Sequence, residues 1–467
     1  MSFIDLGLSE PIVRAVAAEG YTAPTPIQAQ AIPHALAGRD VLGCAQTGTG
    51  KTCAFALPIL QRLTPEPRDG ERQGGRKPMH GGRAPRALIL APTRELASQI
   101  LESFIAYGRG LPLRHTAIFG GVSQSRQVAA MRGGVDVVIA TPGRLLDLIN
   151  QGCVDLRSIE VLVLDEADRM LDMGFINDIR KIVAMVPKER QTLLFSATVS
   201  PEIRSLVDSM LRDPVHVQTA RESATADMVT QSVYMIERAK KPLLLEHLLR
   251  QGDVGRTLVF TRTKHGADRL VKFLHGAGIN AEAIHGNKSQ NARTRAMQGF
   301  RNGATRVLVA TDIASRGIDV DDITHVVNFD MPIDAETYVH RIGRTARAGA
   351  SGIAVSFCDR DEKGVLGAIE RRTQIRLTVA RDFPDFAALI ASRPPRIQPA
   401  APITQERAPR QNASKSGGPR RVRNSRPPND AGHTDASGNS RPSGMTGAQQ
   451  RTRRRKPHRG QTNASHS

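Results

Sequence analysis

Short, mainly apolar runs recur along the chain, each leading into a polar motif and then a segment of helical period. Val41-Leu42-Gly43-Cys44 leads into Ala45-Gln46-Thr47-Gly48-Thr49-Gly50-Lys51-Thr52, and a helix is predicted from Cys53 to Leu60. The strand ending at Leu90 leads into Pro92-Thr93-Arg94-Glu95-Leu96, and Thr116–Phe119 into Gly120-Gly121. Val135–Ile139 leads into Thr141-Pro142-Gly143-Arg144, Glu160–Leu164 into Asp165-Glu166-Ala167-Asp168, and Gln191–Phe195 into Ser196-Ala197-Thr198. Strands that are apolar throughout, alternating with helices, predict a parallel sheet covered on both faces. Ligands of such sheets bind beyond the carboxyl ends of the strands, so these polar motifs should converge there.

The rhythm breaks at residues 213–230 and restarts with Arg256–Phe260, Ala281–Ile284, Arg306–Ala310, His325–Phe329 and Ile353–Phe357. The fold class expected is therefore α/β, with two parallel-sheet domains: residues 1–212, a linker at 213–230, and residues 231–392. Ser289 should open a helix that places Gln290 and Arg293 on one face, three apart. Residues 64–85, dominated by Pro, Gly and Arg, read as a surface loop. Residues 393–467 are rich in Pro, Gly, Ser, Asn and Arg, with Phe386 the last aromatic residue. Such a tail buries too little apolar surface to offset its ordering entropy, so disorder is expected.

Composition adds a partner. The chain of 467 residues carries a net charge of +20, and +12 of it lies in residues 394–467, which hold 15 Lys and Arg against 3 Asp and Glu. A balance this basic points to nucleic acid or another polyanion. Cys44, Cys53, Cys153 and Cys358 show no CxxC spacing, which argues against a zinc site or disulfide framework and fits a reducing compartment. No apolar run approaches the roughly 20 residues of a membrane span, and Met1–Asp5 lacks the features of a signal peptide. The expectation is a cytoplasmic protein with no membrane partner.

The chemistry starts at the loop 45–52. A strand, a glycine-rich turn and Gly-Lys-Thr opening a helix make a phosphate-binding loop, although Ala45 stands where the pattern usually has glycine. Its backbone N–H groups would cradle a polyphosphate, Lys51 would reach the β- and γ-phosphates, and the Thr52 hydroxyl would meet Mg²⁺. Asp165 and Glu166, delivered to the same edge, are the natural complement: Asp165 for Mg²⁺, Glu166 for the attacking water. Arg344 and Arg347 lie three apart, on one face if helical, and suit a γ-phosphate in transfer. Asp312 and Asp319 could bind ribose hydroxyls or lock the domain interface. Thr25 and Pro26 look like a helix N-cap and first position. Gln28 then presents an amide that matches the donor–acceptor edge of adenine, although taken alone a solvated surface glutamine is the better reading.

Taken together, these segments resemble the DEAD-box family of ATP-dependent RNA helicases, over residues 1 to about 380 and in the family's order. The basic tail and Thr345-Ala346-Arg347-Ala348-Gly349 resemble bacterial RhlE-type members, although many relatives have glycine where Ala346 stands. The resemblance implies two tandem RecA-like domains. It implies ATP and Mg²⁺ as cofactors, with Phe3, Tyr21, Thr25 and Gln28 at the nucleotide base and Ala45 to Thr52 at the phosphates. Thr52 and Asp165 would serve the metal. Lys51, Asp165, Glu166, Arg344 and Arg347 would be catalytic, with Asp319, Arg344 and Arg347 the second domain's nucleotide contacts. Asp168, Ser196 and Thr198 would couple hydrolysis to strand separation. RNA would meet Pro92, Thr93, Arg94, Gly121, Thr141 and Arg144 on domain one, and Arg262, Gln290, Arg293 and Thr311 on domain two.

On this reading, ATP and single-stranded RNA together close the two domains. The RNA is gripped by its backbone without base reading, which opens short duplexes locally. Ribosomal or RNA-degradation complexes are plausible partners by resemblance, and a monomer is the default. Two other readings remain open at this point: an RNA-binding clamp or scaffold with idle ATPase residues, and a DNA-directed motor.

Overall fold

The first parallel sheet is built from β1 (Val41–Cys44), β2 (Ala87–Leu90), β3 (His115–Ile118), β4 (Val137–Ala140), β5 (Val161–Leu164), β6 (Gln191–Ser196) and β7 (Val215–Gln218). Its spatial order is β3-β4-β2-β5-β6-β1-β7, and the pairings are parallel. The computed structural model describes residues 1–45, 48–65, 84–218, 229–252, 254–315, 320, 322–346 and 351–391. β2, β4 and β5 are buried along their whole length, as their unbroken apolar sequences require. One apolar layer packs Ile89, Ile139, Val163 and Leu193 against the helices Pro26–Leu36, Lys51–Leu63 and Arg94–Tyr107. The other packs Leu88, Val138, Leu162 and Leu194 on the opposite face, so alternate residues of each strand serve opposite cores.

A second parallel sheet follows: β8 (Val229–Met235), β9 (Arg256–Phe260), β10 (Ala281–Ile284), β11 (Val307–Ala310), β12 (Ile323–Asn328), β13 (Gly352–Cys358) and β14 (Thr378–Val379). Its order, β10-β11-β9-β12-β13-β8-β14, repeats that of the first sheet strand for strand. β8 thus occupies the place of β1. Where β1 leads into the glycine loop, β8 leads into Ile236-Glu237 and the short helical turn Arg238–Lys240, with no glycine. The repeated topology therefore carries a single phosphate loop.

Two expectations are corrected here. The stretch 213–230 is not all linker, because residues 215–218 pair with β1 at the sheet edge and β8 already starts at Val229. β7 escaped notice because Val215-His216-Val217-Gln218 alternates apolar and polar residues, as a one-sided edge strand does. Arg344 is not on a helix, since the helix Ala335–Ile342 ends at Gly343, and the premise of a shared helix face fails on its side. Asp312 is tied within its own lobe and also lines the cleft that Arg169 faces. Arg341 holds its carboxylate at 2.6 and 2.9 Å inside the second lobe. Gln46, Thr47, Asp319, Arg347, most of the 64–85 loop and the 393–467 tail lie outside the described residues.

Candidate nucleotide and RNA sites

Sheet order decides which motifs meet. β5, β6 and β1 are adjacent, so Asp165–Asp168, Ser196–Thr198 and the loop from Ala45 share one end of the sheet edge. β3, β4 and β2 are also adjacent, so Gly120-Gly121, Thr141–Arg144 and Thr93-Arg94 share the other.

At the first end, the phosphate loop is held from outside. Thr25 and Gln28 form a capping box at the start of the helix Pro26–Leu36: the Gln28 side-chain oxygen accepts from Thr25 N at 2.9 Å. Thr25 Oγ1 donates to Thr49 O at 2.8 Å, and Gln28 Nε2 donates to Gly50 O at 3.2 Å. Gly50 sits at φ +90°, and a Cβ there would lie 2.3 Å from Gln28 Nε2, so only glycine allows this contact. Lys51 is buried, and its Nζ donates to Ala45 O at 2.9 Å. Thr52 follows in the first turn of the helix Lys51–Leu63. Phe3 is 3% exposed and packs in the first lobe's core beside Leu6 and Leu8, so it presents no open face for stacking. Tyr21 is exposed and meets Tyr107 edge-on at 6.2 Å.

Asp165, Glu166 and Asp168 are all buried. The Asp165 carboxyl is pushed up to about 6, chiefly by burial and further by Glu166 and Asp168, with the Lys51 charge opposing. Asp165 Oδ1 accepts from Glu166 N at 3.0 Å. Glu166 adopts φ +52°, a left-handed conformation that is rare for a residue with a Cβ. Its carboxylate accepts from Arg169 Nη1 at 3.0 Å. Asp168 reaches back to the loop after β6: Oδ2 accepts from Ala197 N at 3.0 Å and Thr198 N at 3.1 Å. Ser196 Oγ accepts from Asp168 N at 3.3 Å and donates to Thr198 O at 2.7 Å. The two motifs thus form one hydrogen-bonded unit.

From the second lobe, His340, Arg341 and Arg344 face Arg169 across a narrow cleft, which Phe260, Asp312 and Thr337 also line. Arg344 is buried, with Nε donating to His340 O at 3.3 Å. His340 is held neutral, its value pushed down to about 4, first by burial and then by the Arg169 charge; Asp168 opposes, Arg344 adds to the fall, and Glu166 opposes.

At the other end of the edge, Arg94, Arg144 and Arg293 crowd together. Burial and the neighbouring Arg293 and Arg144 charges lower the Arg94 value, against the pull of Glu95. Glu95 bridges the lobes: Oε2 accepts from Arg293 Nη2 at 2.7 Å, in an ion pair whose side chains are 10% and 6% exposed, and Oε1 accepts from Gln290 Nε2 at 3.1 Å. Arg94 Nη1 donates to Gln290 Oε1 at 3.4 Å. Gln290 and Arg293 do share a face of the helix Gln290–Arg301, and it meets the first lobe. Pro92 leads into Thr93, which caps the helix Arg94–Tyr107 by accepting from Leu96 N at 3.2 Å. Thr141 caps the helix Pro142–Asn150 as a buried residue, and Thr311 N donates to Ile284 O. Arg262 stands apart, paired with Glu362 at 3.0 Å inside the second lobe. Glu95, Arg169 and Arg341 received no role from the sequence, although each sits within or beside a quoted motif.

A family model described as DEAD/DEAH box helicase matches residues 25–206, and one described as Helicase conserved C-terminal domain matches residues 239–349. The DEAD-box ATP-dependent RNA helicase CshA of Bacillus subtilis is 41% identical over 377 residues, covering 81% of this chain and 73% of its own. The chain belongs to the DEAD-box ATP-dependent RNA helicases. The ATP-dependent RNA helicase CshA of Limosilactobacillus reuteri matches this helicase equally, at 41% identity over 81% of this chain and 73% of the relative. Among solved structures, S. cerevisiae Dbp5 bound to RNA and ADP BeF3 is 31% identical, covers 81% of this chain and 95% of its own, and superposes with a TM-score of 0.72. A Dbp5 variant bound to Nup159, a Gle1 variant, IP6 and ADP superposes at 0.56, with 29% identity and coverage of 82% and 98%. The enzyme therefore hydrolyses ATP and acts on RNA, on two tandem RecA-like domains. Among the described residues no helix is long and apolar enough to cross a membrane.

Proposed function

We propose that the helicase couples RNA-stimulated ATP hydrolysis to closure of its two lobes, with the machinery split between them. The supporting observation is the meeting of Glu166, Asp168 and Arg169 on one lobe with His340 and Arg344 on the other, beside Asp165, which feels the charge of Lys51 in the phosphate loop. Lys51 and the backbone of residues 45–50 take the phosphates of ATP, and Thr25 and Gln28 frame the base. Glu166 accepts the proton of the attacking water, and Arg344 with Arg347 meets the charge spreading over the γ-phosphoryl oxygens.

The residues fit a Mg²⁺ ion carried in with the nucleotide. Three buried acids within four positions concentrate negative charge that Lys51 alone opposes from the phosphate loop. No cluster of three or more ligands for a resident metal occurs among the described residues. Asp165 and the Thr52 hydroxyl would hold the ion, with phosphate oxygens and water completing its shell, and it would supply charge neutralisation on the transferring group.

RNA lies across Arg94, Gly121, Thr141 and Arg144 on the first lobe and Gln290, Arg293 and Thr311 on the second. The grip is on phosphates and 2′-hydroxyls, which favours RNA over DNA. The superposition on Dbp5 bound to RNA and ADP BeF3 is closer than that on the Dbp5 variant bound to Nup159, a Gle1 variant, IP6 and ADP, which supports a closed arrangement of the lobes. The tail 394–467 tethers RNA without sequence preference. The enzyme is a cytoplasmic monomer that serves ribosomal or RNA-degradation assemblies.

A steady-state ATPase assay with RNA, and separately with DNA of the same sequence, tests this reading. Glu166→Gln should lower RNA-stimulated turnover about 100-fold while the variant still clamps RNA with an ATP analogue. Wild-type turnover of the variant, or equal stimulation by DNA, contradicts it. Removing residues 394–467 should weaken RNA binding at low salt and leave kcat unchanged.

A further inference from the structure

One buried cation beside the acids has no role in the scheme above. The side chains of Arg169 and Glu166 are each 4% exposed, and they pair at 3.0 Å. Removing a guanidinium from water is costly unless a carboxylate answers it in good geometry. A helix-surface pair would have avoided that cost, so the burial calls for a reason.

The backbone supplies the first part of one. Glu166 sits at φ +52° and ψ +54°, immediately before the helix Ala167–Asp172. For a residue with a Cβ this conformation is strained, and such conformations persist where the surroundings over-determine them, as they do at functional sites. The twist directs the start of the Glu166 side chain, and the ion pair fixes its far end. The terminal torsion of a glutamate is broad and roughly two-fold, so the ion pair selects among its settings.

Location supplies the second part. Arg169 lines the cleft between the lobes together with His340 and Arg344, and it is the leading charge that keeps His340 neutral. Arg341 in the same cleft is already committed to Asp312 and Asn328. Arg169 thus pairs with Glu166 on one side and faces His340 and Arg344 of the second lobe across the cleft on the other.

We infer that Arg169 is a positioning residue for hydrolysis: its guanidinium holds the Glu166 carboxylate in the orientation from which that group takes the proton of the attacking water. The inference rests on Glu166 being the base. In that step the water O–H bond breaks and its proton passes to Glu166. The water oxygen bonds the γ-phosphorus as the bond to the bridging oxygen breaks, and ADP leaves with that electron pair. Arg169 neither gains nor loses a proton. Its contribution is geometric, and a misplacement of about 1 Å at such a step costs on the order of 100-fold.

The test compares Arg169→Met, Arg169→Lys, Glu166→Gln and the double variant Arg169→Met/Glu166→Gln in the full chain. Two readouts are taken: RNA-saturated ATPase, and retention of RNA in the presence of ADP·BeF3. Arg169→Met should lose about 100-fold in kcat with KM for ATP within about threefold, and retain RNA as the wild type does. Arg169→Lys should recover part of that, to about tenfold below wild type, because an ammonium replaces the charge but not the planar fork. The double variant should fall no further than Glu166→Gln alone.

Losses that multiply in the double variant overturn the inference, as does a loss of RNA retention that matches the loss of kcat. Should Arg169→Met not fold, wild-type turnover by Arg169→Lys overturns it equally. Wild-type turnover by Glu166→Gln overturns the base assignment and the inference with it, whereas a dead Glu166→Gln beside an active Arg169→Met overturns the role of Arg169 alone.

Discussion

Gly121 shows how one missing side chain shapes the RNA face. It sits at φ +78°, and a Cβ there would lie 1.8 Å from Arg94 Nη1. The obstructing atom is the end of a flexible side chain, so Gly121→Ala should fold while displacing Arg94, at a backbone cost of about 1–2 kcal/mol. We expect RNA affinity to fall about tenfold with basal ATP binding unchanged, measured by fluorescence anisotropy; unchanged affinity would remove Arg94 from the interface. Ala346 is the opposite case, a buried residue with a Cβ at φ +55°. That conformation explains the glycine which the resemblance places there. Ala346→Gly relieves about 1–2 kcal/mol of left-handed strain and gives back about 0.4–1 kcal/mol through a looser unfolded chain. The net should raise the melting temperature by a few degrees, and a lower melting point in calorimetry would show that the turn carries no strain.

At the scale of elements, Asp168 ties the Ala167–Asp172 helix to residues 196–198 by its backbone N–H and, chiefly, by its carboxylate. Asp168 accepts from Ala197 N, Thr198 N and Arg169 N at 2.9–3.1 Å. In Asp168→Asn one acceptor oxygen becomes a donor facing donors, and charge-assisted bonds of about 1.5–3 kcal/mol are lost. RNA unwinding should then fall about tenfold further than ATP hydrolysis, as read from parallel strand-displacement and phosphate-release assays. Equal losses would mean that the loop serves chemistry alone. The apolar runs made most elements readable in the sequence, because a strand buried on both faces leaves no alternation to misread. Edge elements were harder: β7 carries alternating polarity, and β14 is only two residues long. The end of the helix at Gly343 also went unread, since Arg344-Thr345-Ala346 continues with residues that a helix tolerates.

Across the whole molecule, the lobes meet through Glu95, which takes Gln290 and Arg293 on its two oxygens, and through Arg301 with Glu102 at 3.1 Å. The first contact is buried and the second exposed, so the first dominates. Glu95→Gln leaves Arg293 buried with a weakened partner, a loss on the order of 3 kcal/mol for the closed arrangement. Fluorophores on the two lobes should report a smaller closed fraction with RNA and an ATP analogue, and about tenfold weaker RNA retention. A wild-type closed fraction would show that closure is driven by ligands alone.

The sequence by itself determined the α/β class, the two-fold repeat of strand and helix, the single phosphate loop and the acids that complement it. Those follow from periodicity and local chemistry, which act between neighbours in the chain. Tertiary structure alone decided that Phe3 is core, that Asp312 is bound by Arg341, that Arg262 turns to Glu362, and that Glu95 and Arg169 hold the residues beside them. Each of these depends on which distant segment lies opposite a side chain. That is set by strand order and lobe packing, neither of which leaves a local pattern to read.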